Sequence, residues 1–464
     1  MHCGYVVKVT ELRKHSNADR LQVATFFGND TSVDLSVKVG DIGIYFPVDL
    51  QLSEEYCTQN NLVRKKDENG NNIGGFLDPE KRNIKAIKLR GEKSDGLFMP
   101  LASLNYCYAG LENNPDVVVT SLGVGDQITV VNGHEICKKY IPKKQNRVGG
   151  YSSGNKTRKT KVPYSPLFAE HADTEQLAYN HGAFKNGDEV EITLKMHGTS
   201  QRTGYLPVLK GYKRTLWEKI TRKEGTPIYE YDYVSGTRRV VMEDFEGGNS
   251  FYGSNEFREQ HHNIFVGKLN KGETVYYEVV GFTNTGTPIM ADGSNKGLDK
   301  DFIKMYGDTT RFSYGCSPDG KKILYGNDEH GMFELNQDVP QSDLYVYRMT
   351  MTNEDGFVVE YSPDFMRYRC EQMGVKTVPV FEKFTIPAKN KHPGEYVQKK
   401  AEKYYDGPDP VGKTHVREGV VCRILNRPKF CAYKHKNFSF RVISGIAKDT
   451  VNTDNMSDDM IAEL

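Results

Sequence analysis

Short runs of alternating apolar residues, each closed off by glycine, aspartate or asparagine, recur along the whole of this 464-residue chain, while helical periodicity is scarce. Successive side chains of a strand point to opposite faces, so runs of this kind bury their apolar faces by pairing into sheets. In the first part of the chain the segments 33–50, 82–91 and 125–133 carry the pattern, and they predict a small β-barrel or a related β-module over residues 1–137. Between 138 and 163 the pattern stops. The stretch KKYIPKKQNRVGGYSSGNKTRKTK holds nine basic residues and no acidic one, rich in Gly, Ser and Asn. It reads as a basic flexible linker that can lie along a phosphate backbone. From 164 to 464 strand-like runs such as GDEVEITLKMHG, TVYYEVVGF, DLYVYRMT, EGVVCRIL and KFCAYKHKNFSFRVI mix with few helices, GEYVQKKAEKYY (394–405) being the clearest. The order of elements is that of an α+β fold with antiparallel sheets, not the helix–strand alternation of a doubly wound one.

Composition narrows the classes of function. A net charge of +1 leaves no global field, so any grip on a polyanion has to come from local basic patches. The eight cysteines are scattered without C-x-x-C or Cys/His ligand spacing, which argues against a zinc site or a disulfide framework. No apolar run is long enough for a membrane span, and the first residues lack the layout of a signal peptide. The expectation is a cytoplasmic protein with no membrane association and no obligate protein partner.

The charged residues inside the strand runs carry the chemistry. In DEVEITLKMHGTS, Val190, Ile192 and Leu194 share one face, and Lys195 lies on the other, ahead of His197 and a turn-permitting Gly198. Glu278 interrupts ETVYYEVVGF on the face opposite Val275, Tyr277 and Val279. Glu418 precedes Gly419 and an apolar run, while Lys434 and Lys436 project from one face of FCAYKHKNFSF. Surface charges arranged by chance would look much the same one at a time. Together they are what nucleotidyl transfer needs. An amine nucleophile loses its proton near neutral pH more readily beside cations such as Lys434 and Lys436. Positive charge has to meet the oxygens of a pentavalent α-phosphorus, and carboxylates have to hold a divalent metal.

The runs K-M-H-G (195–198), Y-Y-E-V-V-G, R-E-G-V-V and Y-K-H-K resemble, in order and wide spacing, motifs I, III, IV and V of the covalent nucleotidyltransferases. The K-x-H-G-T-S form resembles ATP-dependent RNA ligases more than DNA ligases or capping enzymes. Within them the chain resembles the family with an N-terminal OB-type module ahead of the adenylyltransferase domain. The resemblance implies that Lys195 is the nucleophile taking AMP from ATP, and that Tyr347 is the aromatic stacked on adenine. It implies that Arg238 (or the adjacent Arg239) contacts the ribose or a 5′-phosphate. His197 and Gly198 belong to the nucleotide site, Glu418 and Glu278 serve Mg²⁺ or Mn²⁺, and Lys434 and Lys436 hold the α-phosphate. The implied partner is RNA or a nicked RNA-containing duplex. KHSNADRLQVATF (14–26) is similar to the opening of OB-type modules that bind tRNA.

Some features depart from that pattern. Leu194 stands where an acidic residue is frequent, Ser200 stands where phage-type relatives carry Asn, and GYKRTLWEKITRKEGTPIYEYDY reads as an inserted excursion between Lys195 and Arg238. GPDPVGKT (407–414) spells a P-loop, but a helix-like segment precedes it and a strand follows, the reverse of what a P-loop requires. The rival readings are another covalent nucleotidyltransferase (a DNA ligase or a capping guanylyltransferase) and a catalytically idle RNA-binding protein on the same scaffold.

Overall fold

The structure, a computed structural model, describes residues 2–48, 50–66, 72–90, 92–111, 121–140, 163–172, 174–217, 225–245, 255–281, 283, 289, 342–411, 416–443 and 447–448. Most of the basic stretch read as a linker, and the tip of the expected excursion, lie outside these residues. The chain forms two compact units, one of Met1–Tyr151 with Arg441–Leu464 and one of Ser152–Phe440. The final segment, expected with the second domain, thus groups with the first unit.

The first unit is built of small sheets. A four-stranded antiparallel sheet runs in the order Leu97–Pro100, Ile42–Phe46, Gly4–Lys8, Gln127–Ile128. A meander of Leu12–Lys14, Leu21–Phe26 and Asn29–Asp34 forms another, and Glu92–Asp95, Ala86–Leu89 and Ala447–Lys448 a third. Val6, Ile44, Phe46, Leu50, Tyr56 and Ile136 pack into one core. Among the described strands no barrel closes. The HSNADR run is the turn between two strands of the meander; His15 is buried, and Asn17 donates through Nδ2 to the Arg90 carbonyl at 2.9 Å.

Two antiparallel sheets make the second unit. The five-stranded sheet orders Glu175–Gln176, Cys431–Lys436, Gly419–Ile424, Glu189–Leu194 and Val380–Thr385, its short edge strand alone pairing in parallel. The six-stranded sheet orders Val241–Met242, Thr226–Thr237, Thr199–Lys213, Glu273–Gly281, Ser342–Thr352 and Val358–Glu360. The alternation in EVEITL works as expected on one face: Val190 and Ile192 pack with Val420, Cys422 and Val397 of helix Pro393–Glu402. The other face is not open. Glu191 is buried and bonded by Arg367 at 2.8 Å, because the strand is central and covered on both sides. Helices Glu256–Asn263 and Pro363–Met373 lie on the six-stranded sheet, contributing Phe257, Met366 and Cys370 to its core.

Two elements differ from the sequence reading. FSFRVI, read as the end of a strand, is helix Phe438–Ile443, started by Asn437, whose Oδ1 accepts from the Phe440 N–H at 3.2 Å. The supposed excursion is the far end of a β-hairpin whose strands stay paired from Gln201↔Thr237 out to Lys213↔Thr226. No described helix is long and apolar enough to cross a membrane.

Candidate active site

Lys195 stands where the chain leaves one sheet for the other. Strand Glu189–Leu194 ends, Lys195 N–H bonds the Gly419 carbonyl at 3.0 Å, and four residues later Thr199 begins the first long strand of the six-stranded sheet. Leu194 and Met196 seal the crossing by packing with Val280, Tyr345 and Val378. An acidic residue at Leu194 would have to be buried in that cluster. Gly198 was expected to permit a tight turn; its φ is unremarkable, and what it permits is close approach. A Cβ there would lie 2.3 Å from the Val279 carbonyl oxygen and 2.9 Å from Glu278 Cγ. Gly419 has φ +141°, and a Cβ on it would meet the His435 carbonyl oxygen at 2.1 Å, so this glycine lets the Glu418 strand sit against the lysine strand.

Three expected residues meet on the carboxylate of a fourth, Glu418. Lys195 Nζ is 2.6 Å and Lys436 Nζ 3.1 Å from Glu418 Oε1, and His197 Nδ1–H donates to Oε2 at 3.2 Å. Phe440 stands edge-on to the His197 ring, centroids 4.9 Å apart. Burial opposes the charge on Glu418, but the two lysines and the histidine outweigh it and hold the carboxyl well below the usual range. Glu278 pairs in register with Ser200, whose Oγ donates to Oε2 at 2.9 Å. Burial pushes the Glu278 carboxyl up, against the pull of Lys195 and Ser200. Lys434 is the one lysine of the three without a carboxylate partner among the described residues. Burial, then Lys436, Lys195 and Arg238, push it down to about 8.

Tyr347 is half-buried and reaches this group by a β-bulge. Tyr277 pairs with Val346 and Tyr276 with Arg348, which leaves Tyr347 as the extra residue of its strand. Its hydroxyl interacts with Ser200, and the charges of Glu278 and Arg238 both act on it. Arg238 follows the hairpin strand Thr226–Thr237, whose end lies opposite Gln201, so the hairpin returns this arginine to the start of the Ser200 strand. Arg239 is exposed like Arg238, but it is the Arg238 charge that acts on Tyr347 and Lys434. Sequence reasoning missed His171, Arg202 and Phe440, which line the same group and carry no local motif, and it noted Ser200 only as a departure. The available signal for Ser200 was strand alternation, which puts it on the same face as Arg202.

Glu278 and Glu418 are hard oxygen donors close enough for the charge of Glu418 to act on Glu278. No cluster of three or more His, Cys, Asp or Glu that could hold a metal by itself occurs among the described residues. Two carboxylates, with water and phosphate oxygens completing the shell, fit Mg²⁺ or Mn²⁺ bound together with a nucleotide. The P-loop-like string departs from a phosphate loop: Gly407 takes φ +109°, Pro408 bridges to Val416, and the strand Gly419–Ile424 follows; residues 412–414 lie outside the described residues.

Set beside solved structures, the fold is similar to that of RNA ligases. The chain is similar to a Naegleria gruberi RNA ligase variant with AMP and Mn, at 15% identity and a TM-score of 0.53, over 95% of this chain and 98% of the other. A second variant of that ligase, with ATP and Mn, matches at 15% identity and a TM-score of 0.52, over 96% and 98%. The same ligase with PPi matches at 15% and 0.51, over 95% and 98%. At such identity the likeness establishes the fold. No family model and no curated protein sequence matches the chain.

Proposed function

We propose that the protein is an ATP-dependent RNA ligase working through a lysyl-AMP on Lys195. The observation that carries this reading is the arrangement around Glu418: an amine at a strand end, a second lysine and a histidine on the same carboxylate, and Lys434, Arg238 and Tyr347 beside them. Cations outnumber ionised carboxylates there, as suits a site that receives a polyphosphate. The Naegleria ligase that shares the fold was solved with ATP and Mn, which supports ATP and a divalent cation as the ligands here.

In the reaction, Lys195 Nζ forms a bond to the α-phosphorus of ATP as the bond to the β-phosphate oxygen breaks, and pyrophosphate leaves. The amine gives up its proton in forming the phosphoramidate. A 5′-phosphate oxygen then attacks the same phosphorus and releases the lysine, leaving an adenylylated RNA end. A 3′-hydroxyl finally attacks the 5′-phosphorus of that end, loses its proton, and AMP departs. Each step is an in-line displacement, so positioning and charge neutralisation do most of the catalysis. Lys434 and Lys436 face the α-phosphate oxygens, and the Tyr347 ring stacks on adenine. Glu418 and Glu278 would hold the divalent cation, which when bound neutralises the triphosphate. The first unit, read as an OB-type module, holds the strand that ends in the 3′-hydroxyl, or the duplex.

Incubation with α-labelled ATP or α-labelled GTP and Mg²⁺ tests the reading. Label from ATP on the denatured wild-type chain, absent in Lys195→Ala, is the expected result. Lys195→Ala should still seal RNA that is already adenylylated. Label from GTP would move the protein to the capping enzymes, and absence of label from a folded, AMP-free preparation would sink the proposal.

A further inference from the structure

Residues 163–172, ahead of the nucleophile strand, lie across the face of the six-stranded sheet that carries Ser200, Glu278 and Tyr347. Several bonds fix them there. Ser165 Oγ donates to the Pro207 carbonyl at 2.9 Å, the Tyr276 hydroxyl donates to the Ala169 carbonyl at 3.2 Å, and Leu209 N–H donates to the Tyr164 carbonyl at 2.8 Å. At the end of this strap, His171 touches three elements of the site. Its ring stands edge-on to Tyr347, centroids 5.0 Å apart; its Nδ1 accepts from Arg348 at 3.3 Å; and its backbone N–H donates to the Arg238 carbonyl at 3.4 Å. Arg348 is itself fixed by Glu360, through bonds of 3.0 Å from Nε.

Arg202 takes hold of the same carbonyl from the sheet. It is 1% exposed, two residues from Ser200 and therefore on the same face, and pairs in register with Tyr276 and Gly236. Its Nη1 donates to the Arg238 carbonyl at 2.9 Å, and the Phe168 ring of the strap covers its guanidinium at 4.3 Å. Its Nε and Nη2 have no hydrogen-bond partner. A buried guanidinium with one bond is a costly way to fill a core position that an apolar side chain would fill better. What an apolar side chain cannot supply is the bond to Arg238.

Resting on the ligase reading above, we infer that Arg202 and His171 are positioning residues of the nucleotide site: the strap sets the Tyr347 ring and the Arg238 backbone together, so that the base platform and the arginine are fixed relative to one another when ATP binds. Neither residue touches the reacting atoms. Their loss acts through ATP affinity and leaves the chemistry at Lys195 in place.

Single-turnover labelling by α-labelled ATP over a range of concentrations tests this, with thermal melting of each variant alongside. His171→Ala and Arg202→Met should each raise the half-saturating ATP concentration roughly 10-fold, the size expected when a positioned group is released, with the maximal rate within about threefold of wild type. Arg202→Lys, which keeps one donor, should recover part of the loss. Arg202→Met added to Arg238→Ala, and His171→Ala added to Tyr347→Ala, should each have almost no further effect, since the group being positioned is gone. Effects that multiply fully within these pairs, or a fall in maximal rate at unchanged half-saturation, would overturn the inference, and so would wild-type ATP dependence in folded His171→Ala or Arg202→Met. If wild type takes no label from ATP, the ligase reading fails first, which is a separate outcome.

Discussion

Lys434 is the residue whose surroundings ask most of it. Glu418 is shared by Lys195 and Lys436, while Lys434, buried beside Lys436, Lys195 and Arg238, sits at about 8. Below that pH it is an ammonium able to meet an α-phosphate; above it the charge is lost. The kcat/KM for ATP labelling, which reports the free enzyme, should therefore fall above roughly pH 8 relative to that of a variant charged throughout at this position. Lys434→Arg, charged throughout, should remove that decline, and a Lys434→Arg profile that keeps it would assign the titration elsewhere. The lysines and carboxylates were legible in the sequence because each is a charge in an apolar strand run, a local contradiction that needs a reason. Reasoning from sequence set Lys434 and Lys436 against the nucleophile; the structure adds that Glu418 stands between Lys195 and Lys436. His171 and Arg202 were not legible, since what defines them is contact with Tyr347 and Arg238 far along the chain.

At the scale of elements, helix Glu256–Asn263 supports the strand that starts at Thr199. Arg258 donates to Thr199 Oγ1 at 2.9 Å, His262 Nδ1 lies 3.2 Å from Thr203 Oγ1, and His261 Nε2 lies 2.9 Å from Ser342 Oγ. Burial pushes both histidines down to about 4, outweighing Asp343 near His261 and Asp232 near His262; Arg258 pushes His261 the same way as burial does. Both are neutral in the folded protein and titrate near 6.5 once unfolded, so the unfolded chain binds more protons as pH falls. Their contribution is present above about pH 6.5 and is lost as pH falls towards 4, on the order of 3 kcal/mol for each. Melting temperature followed across that window should drop steeply in wild type, and His262→Gln should flatten the drop. An unchanged slope would show that the helix does not report on these histidines. The helices were the elements least visible in the sequence. Helix Pro363–Met373 had its signals, Ser362 accepting from the Phe365 N–H, proline at its start and Gly374 at φ 69° beyond its end. Phe438–Ile443 did not, because six residues with apolar alternation suit a strand as well as a helix, and Asn437 decides between them.

On the scale of the whole molecule, the first unit draws on both ends of the chain. Ala447 and Lys448 pair in parallel with Ala86 and Ile87, and Arg441 holds Asp95 through both carboxylate oxygens at 2.9 Å. Periodicity could show that the early segments were strands, but a two-residue strand near the other end leaves no periodic signal, so its membership of this unit was not legible. The consequence is a separation of functions that truncation can expose. A chain ending after residue 446 keeps every described residue of the nucleotide site but loses the edge strand of Ala86–Leu89, a loss of roughly 1–2 kcal/mol to the first unit at the usual net worth of two backbone bonds. If that unit holds the strand carrying the 3′-hydroxyl, ATP labelling of Lys195 should stay close to wild type while sealing of a nicked RNA duplex falls several-fold, most at temperatures where the first unit begins to melt. Equal losses in labelling and sealing would mean that the tail supports the adenylylation site itself. Unchanged sealing together with a lowered melting temperature would show that the first unit is not what grips the RNA.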